Sequence, residues 1–171
     1  DTTINRAAVD AQYGAESTLD YFRFVHGRNG INGTGGPGYT TAIDGTSPLI
    51  TSAVHYSTNY NNAGWNGSFM LYGDGDGSTF GPLVTIDIAG HELTHGVTEF
   101  TANLTYLNES GALNESMSDV FGTMVNRYAK PTSWNWQIGE ECYTPANGTG
   151  DALRFLNTPH SAANSGFTAD V

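Results

Sequence analysis

Two histidines four residues apart with a glutamate between them, His91-Glu92-Leu93-Thr94-His95, constrain this chain more than any other feature. Four residues turn an α-helix by about 400°, so on a helix the two imidazoles stand one above the other on one face. That is the spacing of two ligands of one tetrahedral Zn²⁺. Glu92 lies one step round, beside the ion rather than on it, where it can take a proton from water that the metal polarises. With 5 His and 7 Glu in 171 residues, about 0.006 such matches arise by chance. A catalytic zinc site needs a third protein donor from another element. Glu115 supplies it, in Gly111-Ala112-Leu113-Asn114-Glu115-Ser116-Met117-Ser118-Asp119. Glu115 and Asp119 are four apart and share a helix face. Two antiparallel helices joined through residues 102–110 would bring Glu115 opposite the histidines. His, His, Glu and water make an open catalytic zinc site. Asp119 can then accept the outer N–H of a ligating histidine and fix its tautomer.

The rest of the chain must support that helix pair. Residues 7–26 carry Ala8, Ala11, Ala15, Leu19, Phe22 and Val25 at helical spacing, and Asn29-Gly30 closes the segment. Residues 27–47 read as a Gly-, Asn- and Thr-rich surface loop. Residues 53–56 and 68–72 predict two strands with an Asn-rich turn between them. The helix of the two histidines is expected to begin near residues 79–82 and run to about Glu99. A third helix follows Ser110-Gly111. Its stripe of Leu113, Met117, Val120, Phe121, Met124, Val125 and Tyr128 predicts a core-facing side. The expected class is α+β, a small, mostly antiparallel sheet with long helices.

Seventeen acidic against six basic side chains give a formal net charge of -11. Nucleic-acid binding needs clustered Lys or Arg, and anionic membranes make the same demand; neither is an expected partner. No run of about 18 apolar residues is present to span a bilayer. The lone cysteine, Cys142, reads as a buried thiol and can form no internal disulfide. Gly33-Thr34-Gly35-Gly36-Pro37-Gly38 matches a dinucleotide-binding pattern as text, but a proline stands where its helix should start. Asp74-Gly75-Asp76-Gly77 reads as a tight turn. Thr79 and Thr85 occupy the places where an EF-hand needs Gly and Glu.

The His91–His95 motif, the spacing to Asn114-Glu115 and the following Ser118-Asp119 resemble the thermolysin-like family of neutral zinc metalloendopeptidases, the M4 peptidases. Val54-His55-Tyr56-Ser57, Asn61-Asn62-Ala63-Gly64-Trp65-Asn66-Gly67 and Tyr72-Gly73-Asp74-Gly75-Asp76-Gly77 extend the likeness, which runs from about Ala8 to Arg154. The resemblance implies a zincin fold and cleavage of internal peptide bonds before bulky apolar residues. It implies that Asn62 and the Ala63 backbone hold the substrate main chain, that Tyr106 stabilises the oxyanion and that Arg154 supports the leaving-group side. It also implies secretion, with signal and pro-segment outside this chain.

The resemblance carries calcium too. Asp87 and Glu140 match a carboxylate cluster that holds two calcium ions in the family, while Asn126, Asn135 and Gln137 stand where acids are usual. One calcium at most is expected there, because amides bring less charge to offset two dications. Tyr143, Thr144 and Asp151 match a separate single-calcium loop. Family catalytic chains are about twice as long. Residues 1–171 are therefore expected to be a partial catalytic domain, lacking a front β-rich part and the C-terminal helical domain, which would be its partner. That domain carries a histidine that pairs with Tyr106; His160 lacks its surrounding pattern. The leading expectation is the zinc-binding portion of an endopeptidase acting on proteins or peptides. The alternatives are a metal-binding portion with little activity of its own, and another H-E-x-x-H hydrolase such as an aminopeptidase.

Overall fold

The computed structural model describes residues 2–36, 40–41, 48–145 and 151–159. His160 and the end of the glycine pattern at residues 37–38 lie outside them. The elements in chain order are α1 (Thr2–His26), β1 (Thr40–Thr41), β2 (Pro48–Leu49), β3 (Ser52–Ala53), β4 (Ala63–Trp65), β5 (Met70–Tyr72), α2 (Ile86–Glu99), α3 (Asn108–Ala129), β6 (Gln137–Ile138) and β7 (Arg154–Phe155). The class is α+β. Among the described residues the strands form three small sheets rather than one: β1–β2, β3–β5–β4 and β6–β7. All pairings are antiparallel except β3 with β5. Among the described residues no helix is long and apolar enough to cross a membrane.

α1 buries Ala7, Ala11, Ala15 and Phe22, while Ala8 and Val25 at the two ends of the expected stripe are exposed. Gly14 meets α2 at Ala89, where an added Cβ would stand 2.6 Å from the alanine methyl. Strand β3 stops at Ala53, short of the expected Tyr56, because His55, Ser57 and Asn59 adopt positive φ. The chain then returns through the Asn-rich segment, which is not a plain turn. It carries β4, paired with β5 at Ala63–Tyr72 and Trp65–Met70, on the sheet's edge.

α2 begins at Ile86, later than expected. Pro82 disfavours helix at Gly81, and the Leu83 N–H is committed to the Gly73 carbonyl at 3.0 Å. The largest correction concerns α3. Leu113, Met117, Val120 and Tyr128 of its apolar stripe are exposed; Val125 is fully buried, and Phe121 and Met124 pack against the core only in part. The face buried against α2 is small and polar: Gly111, Asn114, Ser118, Asp119, Gly122, Thr123 and Asn126. Helical spacing reveals that a helix has two faces but not which one packs. Gly90 and Gly122 set the close approach. A Cβ on Gly122 would lie 2.6 Å from the Asp87 carbonyl oxygen, and one on Gly90 3.0 Å from the Gly122 Cα. Cys142 is buried, and burial, with the negative charge of Asp87, pushes its thiol pKa up.

Candidate metal centre and cleft

The close crossing of α2 and α3 lets short side chains on facing turns reach one another. His91 Nε2 and His95 Nε2 are 3.1 Å apart. One oxygen of Glu115 lies 3.3 Å from His91 Nε2 and the other 3.5 Å from His95 Nε2. Ligands about 2.0–2.1 Å from a tetrahedral zinc stand roughly 3.3–3.4 Å from each other. The three side chains fit that ion by spacing and by donor type. Glu92 stands further out, its oxygen within 4.8 Å of both imidazoles.

The outer nitrogens are committed elsewhere. His91 Nδ1 lies 2.7 Å from Asp119 Oδ1, and His95 Nδ1 lies 2.8 Å from Asn114 Oδ1. Both acceptors select the Nδ1–H tautomer and leave each Nε2 lone pair facing inward. Two such lone pairs at 3.1 Å need a proton or a cation between them. Burial pulls the His91 pKa down, but the bonds to Asp119 and Glu115 outweigh it and hold the group at about 9. Asp119 also accepts two hydrogen bonds from Arg154, Nε to Oδ2 and Nη2 to Oδ1, each 2.6 Å. Burial raises the Asp119 pKa, yet His91 and Arg154 hold it below the ordinary carboxylate value. Glu115 is lowered in the same way, against its own burial, by His91 and His95.

Strand β4 forms the opposite wall. Asn62 O accepts from Gly73 N and Asn66 N donates to Phe69 O, so alternate backbone groups turn toward β5. Ala63 and Trp65 turn the other way, and Trp65 N–H donates to Glu92 Oε2 at 3.3 Å. A cleft of about 610 Å³ runs between β4 and α2, and Asn62, Ala63, Glu92, Tyr106, Glu115 and Arg154 all line it. Tyr106 is 65% exposed, its ring edge-on to His95 with centroids 5.8 Å apart.

Sequence reasoning missed several contributors. Asn114 and Ser118, whose Oγ is 3.1 Å from His95 Nδ1, sit one residue before Glu115 and Asp119 at the same i, i+4 interval. That spacing was the available signal. Phe80, Leu83, Ile88 and Leu153 give the cleft an apolar end; they come from three separate segments, and no local pattern joins them.

The calcium candidates fall in two places. Asp87 accepts from Thr85 Oγ1 at 2.5 Å and from Gly139 N at 2.6 Å. Glu140 Oε1 accepts from Asn135 Nδ2 at 3.0 Å. Glu140 Oε2 and Asn126 Oδ1 are buried without a hydrogen-bond partner. Burial and the charge of Asp87 raise the Glu140 pKa. Unpaired buried oxygens beside two acids are a donor set suited to a hard cation. In the second place Thr144 Oγ1 contacts Asp151 Oδ2 and Tyr143 stacks edge-on against Phe80; residues 146–150 between them lie outside the described set.

Comparison with known proteins matches residues 1–99 to the family model of the thermolysin metallopeptidase catalytic domain and residues 102–170 to that of its α-helical domain. The chain is 55% identical over 154 residues to bacillolysin of Brevibacillus brevis, and 53% identical over 154 residues to thermolysin of Alicyclobacillus acidocaldarius subsp. acidocaldarius. Each alignment covers 90% of this chain and 26% of the relative, so the chain spans about a quarter of those proteins. A solved structure titled as the precursor of protealysin, a metalloproteinase from Serratia proteamaculans, superposes with a TM-score of 0.76 at 37% identity. It covers 90% of this chain and 45% of that one. These matches correct one expectation. The helical domain is not missing, because residues 102–170 match it. The two matches meet between α2 and α3, so the helix bearing Glu115 lies in the stretch matched by the α-helical-domain model.

Proposed function

The chain belongs to the thermolysin metallopeptidase family, and we propose that it is the zinc-binding portion of a secreted endopeptidase acting on proteins or peptides. The observation that carries this reading is the triangle of His91 Nε2, His95 Nε2 and the Glu115 carboxylate, with edges of 3.1, 3.3 and 3.5 Å. A zinc ion held by these three would supply a Lewis acid that polarises the scissile carbonyl and lowers the pKa of water.

The remaining roles fall to the protein's own groups. Glu92, oriented by Trp65 N–H, takes the proton of the attacking water and returns it to the leaving amine. The Tyr106 hydroxyl donates to the oxyanion; one such donor is typically worth about 3–4 kcal/mol. Asn62 and the outward Ala63 backbone pair with the substrate main chain as a strand edge does. Phe80, Leu83, Ile88 and Leu153 receive the bulky apolar residue after the scissile bond. Arg154 borders that pocket and, by gripping Asp119 through two bonds, holds His91 in place. Asp87 and Glu140 would hold one calcium together with the unpaired Asn126 oxygen, and Tyr143, Thr144 and Asp151 another.

A second reading has its own support. Tyr106 is 65% exposed, and Leu113, Met117, Val120 and Tyr128 form an uncovered apolar face on α3. Further helical-domain polypeptide packed there would complete the cleft, and the lone chain would bind metal with little turnover. Zinc-loaded chain, alone and with a complementary segment, is to be assayed on N-terminally blocked peptides. Cleavage of blocked peptides separates an endopeptidase from an aminopeptidase. Glu92→Ala should retain zinc and lose hydrolysis; a fully active Glu92→Ala protein ends the proposal.

A further inference from the structure

The cleft is electrostatically lopsided. Along one face of α2, Ile88 stands at the apolar end, His91 and His95 in the middle, and Glu99 at the far end, where it also lines the cleft with Trp65 and Asn103. Glu99 accepts from the Trp65 indole Nε1 at 3.4 Å, a long bond. It is the last residue of α2, whose final turn holds no basic side chain. A carboxylate there faces the negative end of the helix dipole.

None of the chain's six cations offsets it. Arg6 lies near Asp10, Lys130 near Glu141 and Arg154 on Asp119. Arg28 donates to the Ile31 carbonyl, and Arg23 and Arg127 lie over the rings of Phe24 and Trp134. Among the described residues no basic group lies within ion-pair distance of Glu99. Glu99 is itself exposed, and with Trp65 and Asn103 it lines the cleft rather than packing into the core.

We propose that Glu99, with the Trp65 indole and Asn103, forms a subsite for a basic side chain of the substrate, on the side of the scissile bond opposite the apolar pocket. The inference rests on the endopeptidase reading above. Glu99 is about six residues, or roughly 9 Å, along α2 from the midpoint of His91 and His95. An extended peptide advances about 3.4 Å per residue, so the basic residue stands two or three positions before the bond. The Trp65 face adds a cation–π surface for it.

The test uses blocked peptides that differ only in Lys, Gln or Glu at those two positions. Hydrolysis is followed with the zinc-loaded protein. Binding is measured in parallel on zinc-loaded Glu92→Ala, so that a failure of turnover leaves the subsite measurable. Lys should exceed Glu by about five- to tenfold in kcat/KM and in affinity at low salt, and the ratio should collapse in high salt. Glu99→Gln should bring the ratio near one and Glu99→Lys should invert it. A ratio unchanged by Glu99→Gln, or absence of binding by every peptide, overturns the subsite. Selective binding without cleavage by the active protein overturns the endopeptidase reading and leaves the subsite standing.

Discussion

Substituting Gly122 by alanine tests how the site is assembled. The new Cβ would lie 2.6 Å from the Asp87 carbonyl oxygen, 3.0 Å from His91 N and 3.3 Å from its Cα. All three are backbone atoms of α2, so no side chain can swing aside. Relief requires α3 to withdraw by about 0.5–1 Å, and overpacking of this kind costs about 1–3 kcal/mol. For a chain of this size that is roughly 2–12 °C in Tm. The same withdrawal carries Glu115 away from His91 and His95, whose edges of 3.3 and 3.5 Å leave little slack. Metal–ligand distances tolerate only about 0.2 Å, so zinc affinity should fall by about ten- to a hundredfold. The assay is thermal unfolding of the metal-free chain followed by circular dichroism, with zinc Kd from chelator competition. Gly64→Ala is the stability control, since its Cβ meets nothing within 4 Å, and its Tm should match the parent. A Gly122→Ala chain with parental Tm and parental zinc affinity would refute the idea that this glycine sets the helix spacing and, through it, the site.

Two further outcomes follow from the same groups. His91 is held at about 9 against an ordinary value near 6.5, so in the metal-free chain it is protonated at pH 7. Zinc must displace that proton; affinity should rise about tenfold per pH unit toward pH 9, with about one proton released at pH 7. A flat dependence between pH 6 and 8 contradicts this. The sign for metal-free stability is opposite: the raised value stabilises the fold fully below pH 6.5, and this contribution is lost as pH rises through 9. For the cluster at Asp87, calorimetry with Ca²⁺ should find a single ion there, raising Tm, and Glu140→Gln should remove it. Two ions at this cluster, or none, would contradict the donor set of two acids and one unpaired Asn126 oxygen.

Much of the candidate site was legible before any coordinates, because its proposed ligands lie on helices, where sequence interval translates directly into position. His91 and His95, and Glu115 and Asp119, each occupy i and i+4, and the structure brings all four together. The strands were less legible. The break of β3 coincides with positive φ at His55, Ser57 and Asn59, a conformation that non-glycine residues adopt uncommonly and that residue type alone does not predict at a given position. The buried face of α3 was misread for a physical reason. An apolar stripe is taken for the core, but here the apolar side chains are exposed. The polar row of Asn114, Ser118 and Asp119 is buried because it serves the histidines of α2.

By itself the sequence determined which side chains stand at the candidate metal centre, their helical intervals and the α+β class, since each follows from local periodicity. Only the tertiary structure decided the distance between the two ligand-bearing helices, through the contact of Gly90 and Gly122. It alone placed Trp65 N–H on Glu92 and Arg154 on Asp119, and it alone gathered Phe80, Leu83, Ile88 and Leu153 at one end of the cleft and Glu99 at the other. Trp65 and Glu92 are 27 positions apart, Gly90 and Gly122 32, Asp119 and Arg154 35, and Ile88 and Leu153 65, and no local pattern encodes intervals that long.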